Sequence, residues 1–149
     1  MANKEKITIK LNNLKFDAQN PRLPMRLQGV TDENKVIDYM VKYGNVTELM
    51  LSIGETGYSE AEPLLVVKEG TDKYIVVEGN RRLAALKLLN DSELTKVRIQ
   101  SINSVVSGAK YIPEEVPCIV YASREDVLDY LGYRHITGVK DWGALEKAP

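Results

Sequence analysis

One cysteine, one histidine, one tryptophan and one phenylalanine are all that 149 residues contain of these types. Each scarcity removes a class of protein. A lone Cys118 cannot form an intrachain disulfide, and a zinc site built on cysteine pairs is excluded. There is no apolar run of membrane-spanning length. The start, Met1-Ala2-Asn3-Lys4-Glu5-Lys6, is polar and lacks a signal-peptide core, so a reducing, cytoplasmic location and no membrane partner are expected. An excess of charge is missing too. Twenty Lys and Arg face 21 Asp and Glu, a net charge of -1. That balance argues against coating DNA by bulk charge and against an acidic disordered tail. Residues 1–60 carry 8 basic and 8 acidic side chains, so any anion site must be local. The eight tyrosines are scattered without the spacing of a base-stacking platform.

What is present fits one domain spanning residues 1–149, with 44% hydrophobic residues to build a core. Ile7, Ile9 and Leu11 alternate with polar residues, as in a half-buried strand. Asn20-Pro21-Arg22-Leu23-Pro24-Met25-Arg26 has two prolines in five residues and reads as a loop bearing two arginines. Thr31 and Asp32 can cap a helix with Val36, Ile37, Met40 and Val41 on its apolar face, ended by Gly44. Asn45 and Glu48 open a second helix in a capping-box pattern. Gly54 and Gly57 are expected to break it. Leu64–Val67 and Tyr74–Val77 read as two strands of a hairpin. Arg81–Leu89 suits a helix packed on the sheet. Residues 90–113 read as an irregular insertion with one helical stretch, and Val116–Tyr121 as a third strong strand. A helix carrying Val127, Leu128 and Leu131 follows. Residues 133–142 read as a polar turn before a last helix. The predicted class is α+β (or α/β), with a small mixed β-sheet packed by helices.

Val76-Val77-Glu78-Gly79-Asn80-Arg81-Arg82 is the informative junction. A strand runs through a glycine turn directly into a helix. Free backbone N–H groups at a helix start can hold a phosphate, and glycine lets a ligand approach closely. Two cations in a first helical turn oppose the helix dipole, at about 0.3–1 kcal/mol each when exposed. A bound anion would reverse that sign. The alternative is that both arginines pair with acids such as Glu78 or are solvated. Glu78 is also the best candidate for a metal ligand or catalytic acid. Asp17, Glu62 and Asp126 are the distant acids that would have to converge on it to hold a cation. His135, beside Arg134, is a candidate acid, base or phosphate contact. Trp142 reads as a packing residue, and Cys118 as a core residue in an apolar strand.

These segments, in this order, resemble the N-terminal domain of ParB partition proteins, within the wider ParB/sulfiredoxin fold. Asn20-Pro21-Arg22 resembles the family's early Asn-Pro-Arg box. Leu49 to Ile53 followed by Gly57 is similar to its Leu-x-x-Ser-Ile helix. Glu62-Pro63-Leu64-Leu65-Val66-Val67 looks like its Gln-Pro-Ile-x-Val strand. Tyr74 through Ala85 resembles the central Gly-Glu-Arg-Arg-x-Arg-Ala box, and Val116 to Val120 the strand after it. The resemblance implies a nucleoside triphosphate site at Gly79, Asn80, Arg81 and Arg82, with Arg22 and Arg134 converging there. The nucleotide would be CTP with Mg²⁺, as in partition proteins. Other relatives are labelled ParB-like nucleases or use ATP to phosphorylate small molecules. A third reading is a protein-interaction module without nucleotide. DNA would be contacted through a longer protein of which this chain is a fragment, and nucleotide occupancy would switch conformation or self-association as a homodimer. The chain departs from the pattern at Asn80, where the family has glutamate, and at Ala84, where it has a third arginine. The later Glu-Asn-x-x-Arg motif has no clean match; Arg134-His135-Ile136-Thr137-Gly138 stands near its place. Sulfiredoxin's catalytic cysteine has no counterpart in the central box.

Overall fold

The computed structural model describes residues 4–136, with the side chains of residues 133–136 outside the description. The expected helix at the end of the chain and Trp142 lie outside the described residues. Five strands form one mixed sheet: β1 (Glu5–Lys10), β2 (Leu14–Phe16), β3 (Leu64–Glu69), β4 (Lys73–Glu78) and β5 (Glu115–Tyr121). Their order is β1-β5-β3-β4-β2. The β1/β5 and β3/β4 pairs are antiparallel, whereas β3/β5 and β2/β4 are parallel. Among the described residues there are five α-helices: α1 (Glu33–Tyr43), α2 (Val46–Thr56), α3 (Asn80–Asn90), α4 (Ile99–Gly108) and α5 (Arg124–Ile136).

Side-chain alternation along β3 shows how the sheet divides the core. Leu64 and Val66 enter the main cluster with residues of α1 to α4, while Leu65 joins Val77, Tyr121 and Val127 of α5 on the other face. α3 is the central helix. Leu83, Ala84, Ala85, Leu86, Leu88 and Leu89 are all buried, the pattern of a helix enclosed on nearly every side. Ala84 is 0% exposed. The arginine that the family pattern carries there would have to bury its charge in this core.

α1 begins where its capping residues direct. The Asp32 side chain accepts from the Asn34 N–H at 3.0 Å, and the four expected apolar residues are buried. α2 differs from expectation in two ways. Asn45 adopts φ 57° and gives no side-chain cap to the backbone; its amide instead donates to the Glu48 carboxylate at 2.9 Å. Gly54 does not break the helix. It lies inside α2, where an added Cβ would meet Ala109 Cβ at 3.0 Å, and its carbonyl accepts from the Lys110 and Tyr111 N–H groups. Only Gly57, at φ 84°, ends α2. The expected turn from residue 133 is corrected as well: residues 133–136 continue α5. Among the described residues no helix is long and apolar enough to cross a membrane.

Cys118 is fully buried in β5, and burial pushes its thiol up from 9.0 to about 12. Only the thiolate reacts readily. In the native protein at pH 8, alkylation is therefore expected to be about a hundredfold or more slower than in the denatured chain, measured with a mass-tagged thiol reagent. Equal rates would show that the strand opens freely. The raised value also makes stability pH-dependent. The buried thiol contributes fully below about pH 9, and its contribution is lost as pH climbs toward about 12, because the unfolded chain releases its proton first.

Candidate functional site

The β4–α3 junction is built on Gly79. This residue caps α3 at φ 110° and ψ 19°, a conformation that side chains disfavour. A Cβ there would lie 2.5 Å from Leu64 Cδ2 and 3.5 Å from Arg82 Nη2. The glycine thus lets Leu64 of the core approach the backbone, while Arg82 Nη2 lies at an ordinary contact distance. The first intrahelical bond closes from the Leu83 N–H to the Gly79 carbonyl at 2.9 Å. The N–H groups of Asn80, Arg81 and Arg82 therefore have no acceptor within the helix.

The side chains around this turn divide into anchors and cations. Asn80 is 6% exposed. Its oxygen accepts from the Asp17 N–H at 3.2 Å, and its amide donates to the Val76 carbonyl at 2.9 Å. This side chain pins the turn to the strand end, so what Asn80 can offer a ligand is its backbone N–H. Arg81 Nε donates to the Gly44 carbonyl at the end of α1. Arg82 Nη1 donates to the Tyr58 hydroxyl at 3.1 Å and to the Glu62 carbonyl at 2.8 Å. Its guanidinium also pairs loosely with the Glu62 carboxylate, at 3.6 Å, and the Glu78 carboxylate, at 3.8 Å. The pairing alternative drawn from the sequence thus holds for Arg82.

Arg22 joins the same group from the Asn-Pro-Arg loop, with Nη1 3.6 Å from Glu78 Oε1. The Asn20 side chain shapes that loop by accepting from the Arg22 N–H at 3.0 Å, an Asx turn. The result is a cleft of about 230 Å³ that includes Arg22, Glu62, Glu78, Gly79, Arg81 and Arg82 in its lining. Its volume lies below the roughly 300–1,000 Å³ of typical small-molecule pockets. Arg26 is exposed on a short 3-10 turn and does not line the cleft. Arg134 and His135 fall in the last turn of α5, and their side chains lie outside the described residues.

The candidate acids separate. Glu62 and Glu78 converge on Arg82. Asp17, 3% exposed, places Oδ2 2.7 Å from Arg124 Nη2 of α5. The Asp126 N–H is bonded to the Ser123 hydroxyl. Among the described residues no three His, Cys, Asp or Glu side chains come together as a metal site. A divalent cation here would need oxygens from a bound phosphate, which is how Mg²⁺ is often held; Glu78 is the acid that lies between two cleft arginines.

Tyr58 was not identified from the sequence. Its hydroxyl accepts from Arg82 and donates to the Glu62 carbonyl at 2.6 Å. Burial raises its pKa, and the neighbouring Arg82 opposes that shift. The one available signal was the aromatic residue next to Gly57, which says nothing of a contact 24 residues away.

Comparison with known proteins agrees with this architecture. No curated protein matches the chain. A solved structure of the C-terminally truncated chromosome-partitioning protein ParB from Caulobacter crescentus, complexed with CTP-gamma-S, shares the fold with a TM-score of 0.51 at 18% identity. The match covers 97% of this chain and 59% of that one, so the present chain spans somewhat over half the neighbour's length. The model of the ParB N-terminal domain matches residues 2–116. That span runs from ahead of β1 to the second residue of β5 and includes every residue lining the cleft; the chain belongs to the ParB N-terminal domain family.

Proposed function

We propose that this domain binds a nucleoside triphosphate, with CTP the first candidate, and grips its phosphates at the β4–α3 turn. The observation that carries the reading is the convergence of Arg22 and Arg82, from segments 60 residues apart, beside a glycine-capped helix start. The Asn80, Arg81 and Arg82 N–H groups supply directed donors, and the guanidinium groups supply charge. The C. crescentus neighbour holds a CTP analogue, which makes CTP the first ligand to test. Mg²⁺ would accompany the phosphates. In this reading, DNA association belongs to a full-length protein of which these residues are one module, and occupancy of the cleft switches conformation or self-association.

Calorimetric titration of the 149-residue chain with CTP, ATP and GTP, each with and without Mg²⁺, tests the reading. Saturable binding with CTP preferred is expected, accompanied by a rise in melting temperature, because a ligand of the native state stabilises by mass action. Absence of binding to all three at millimolar concentration would remove the nucleotide and leave a protein-interaction module as the better account.

A further inference from the structure

The cleft already contains an anion, and the chain supplies it. Glu78 is the last residue of β4, directly ahead of the glycine that caps α3. Its carboxylate spans two guanidinium groups: Oε1 lies 3.6 Å from Arg22 Nη1, and Oε2 lies 3.8 Å from Arg82 Nη2. The side chain is 19% exposed, whereas Glu62, the other acid near Arg82, is 66% exposed. The first turn of α3 carries no acid of its own. Glu78 therefore stands where the helix dipole and both arginines favour negative charge.

We infer that Glu78 is a resident counter-ion of the phosphate site, an internal stand-in that an incoming anion must displace, and that it sets which anions bind. The inference rests on the reading of the cleft as a phosphate site. Two features make the exchange feasible. The carboxylate contacts are loose: at 3.6 and 3.8 Å they exceed the roughly 2.7–2.9 Å of aligned charge-assisted hydrogen bonds. A phosphate has enough oxygens to replace both contacts with aligned ones. Arg82, meanwhile, is held in place by neutral acceptors, the Tyr58 hydroxyl and the Glu62 carbonyl. It does not depend on Glu78 for its position. The backbone at Glu78 is fixed by pairing with Leu65, so displacement is a side-chain rotation.

The consequence is selectivity. A small anion such as orthophosphate must evict a carboxylate and then remain beside it, since a like charge within about 4–6 Å disfavours the ionised form. A polyphosphate makes more contacts for the same eviction, and a cation travelling with it would compensate the displaced Glu78.

The test measures orthophosphate, inorganic tripolyphosphate and metal-free CTP against the wild-type chain, E78Q, E78A and E55Q by calorimetry at fixed ionic strength. Mg²⁺–CTP serves as the reference ligand. The two Glu78 variants are expected to bind orthophosphate and metal-free CTP about tenfold more tightly than wild type, and to gain less from added Mg²⁺. E55Q, altered on the exposed surface of α2 outside the cleft lining, should stay within about twofold. If wild type binds Mg²⁺–CTP and neither Glu78 variant gains metal-free affinity, the counter-ion role is wrong while the nucleotide site survives. If no chain binds any ligand, both readings fall together.

Discussion

Replacing Arg82 by alanine is expected to weaken binding of Mg²⁺–CTP by about a hundredfold or more, on the basis of roughly 1.5–3 kcal/mol per hydrogen bond to a charged group and two such bonds lost. The expectation follows from position as much as from charge. The Arg82 side chain is 22% exposed, and two neutral acceptors hold its Nη1 while Nη2 faces the cleft over Gly79. The guanidinium is thus set in place before a ligand arrives, which lowers the ordering entropy lost on binding. Its removal has a second effect. Glu62 and Glu78 would lose a shared cation, and their charge would then repel the incoming phosphates. Lysine at this position keeps the charge but loses the planar fork, so R82K should fall between wild type and R82A. The thermal readout is independent of the titration. Wild type with ligand at 100 times its Kd should gain about 2.7 kcal/mol, and R82A at the same concentration almost none. Unchanged CTP affinity in R82A would show that the phosphates bind elsewhere.

The residues of this cleft differ in how plainly the sequence displays them, and the reason lies in the range of the interactions. Gly79, Arg81 and Arg82 are visible because a strand, a glycine and a cationic helix start are contiguous. α1 is visible because Asp32 and the apolar spacing after it act within one turn. Arg22 is half visible: the Asn-Pro-Arg turn can be read, but its meeting with Glu78 depends on how the chain returns over 56 residues. Tyr58 carries no local mark beyond its place next to Gly57, since its partner is Arg82, 24 residues away. β2 has three residues, too few for alternation to register, and exists because the edge of β4 accepts a parallel neighbour. α4 offers only Ile102 and Val105 as buried residues and begins after Arg98 at φ 51°, so its start has no ordinary cap. Gly54 misleads for a related reason. Glycine punctuates a helix when it is exposed, but here it is buried and admits the close approach of Ala109. Asn80 reads as a ligand-binding polar residue because it stands in the box, yet its side chain is taken up by Asp17 and Val76 inside the protein.

Gly79→Ala is expected to be the most damaging glycine-to-alanine change among the described residues. Two penalties act together. At φ 110° an L-residue is strained by about 1–3 kcal/mol, and the new Cβ would stand 2.5 Å from Leu64 Cδ2, an overlap of the kind that costs about 1–3 kcal/mol in a packed core. Leu64 cannot easily yield. It is 0% exposed, it opens β3, and it is in register with Cys118 of β5. Together these predict a loss of about 2–5 kcal/mol against a typical total of about 5–15 kcal/mol. At about 2–4 °C per kcal/mol for a chain near this size, the melting temperature should fall by about 5–20 °C. The clash and the strain can be separated. Leu64→Val trims the side chain that meets the new Cβ, so G79A/L64V should lose less stability than the two single variants added together, by about 1 kcal/mol of coupling. Strict additivity would place the whole effect in the backbone. Phosphate binding should weaken in whatever fraction of G79A folds, because relieving the strain at φ 110° shifts the Asn80, Arg81 and Arg82 N–H groups that the proposed site uses; the new Cβ itself meets Arg82 Nη2 only at an ordinary contact distance of 3.5 Å. A G79A protein with native stability and native CTP affinity would mean that neither the left-handed turn nor the close approach of Leu64 is required, and the glycine would lose its place at the centre of the site.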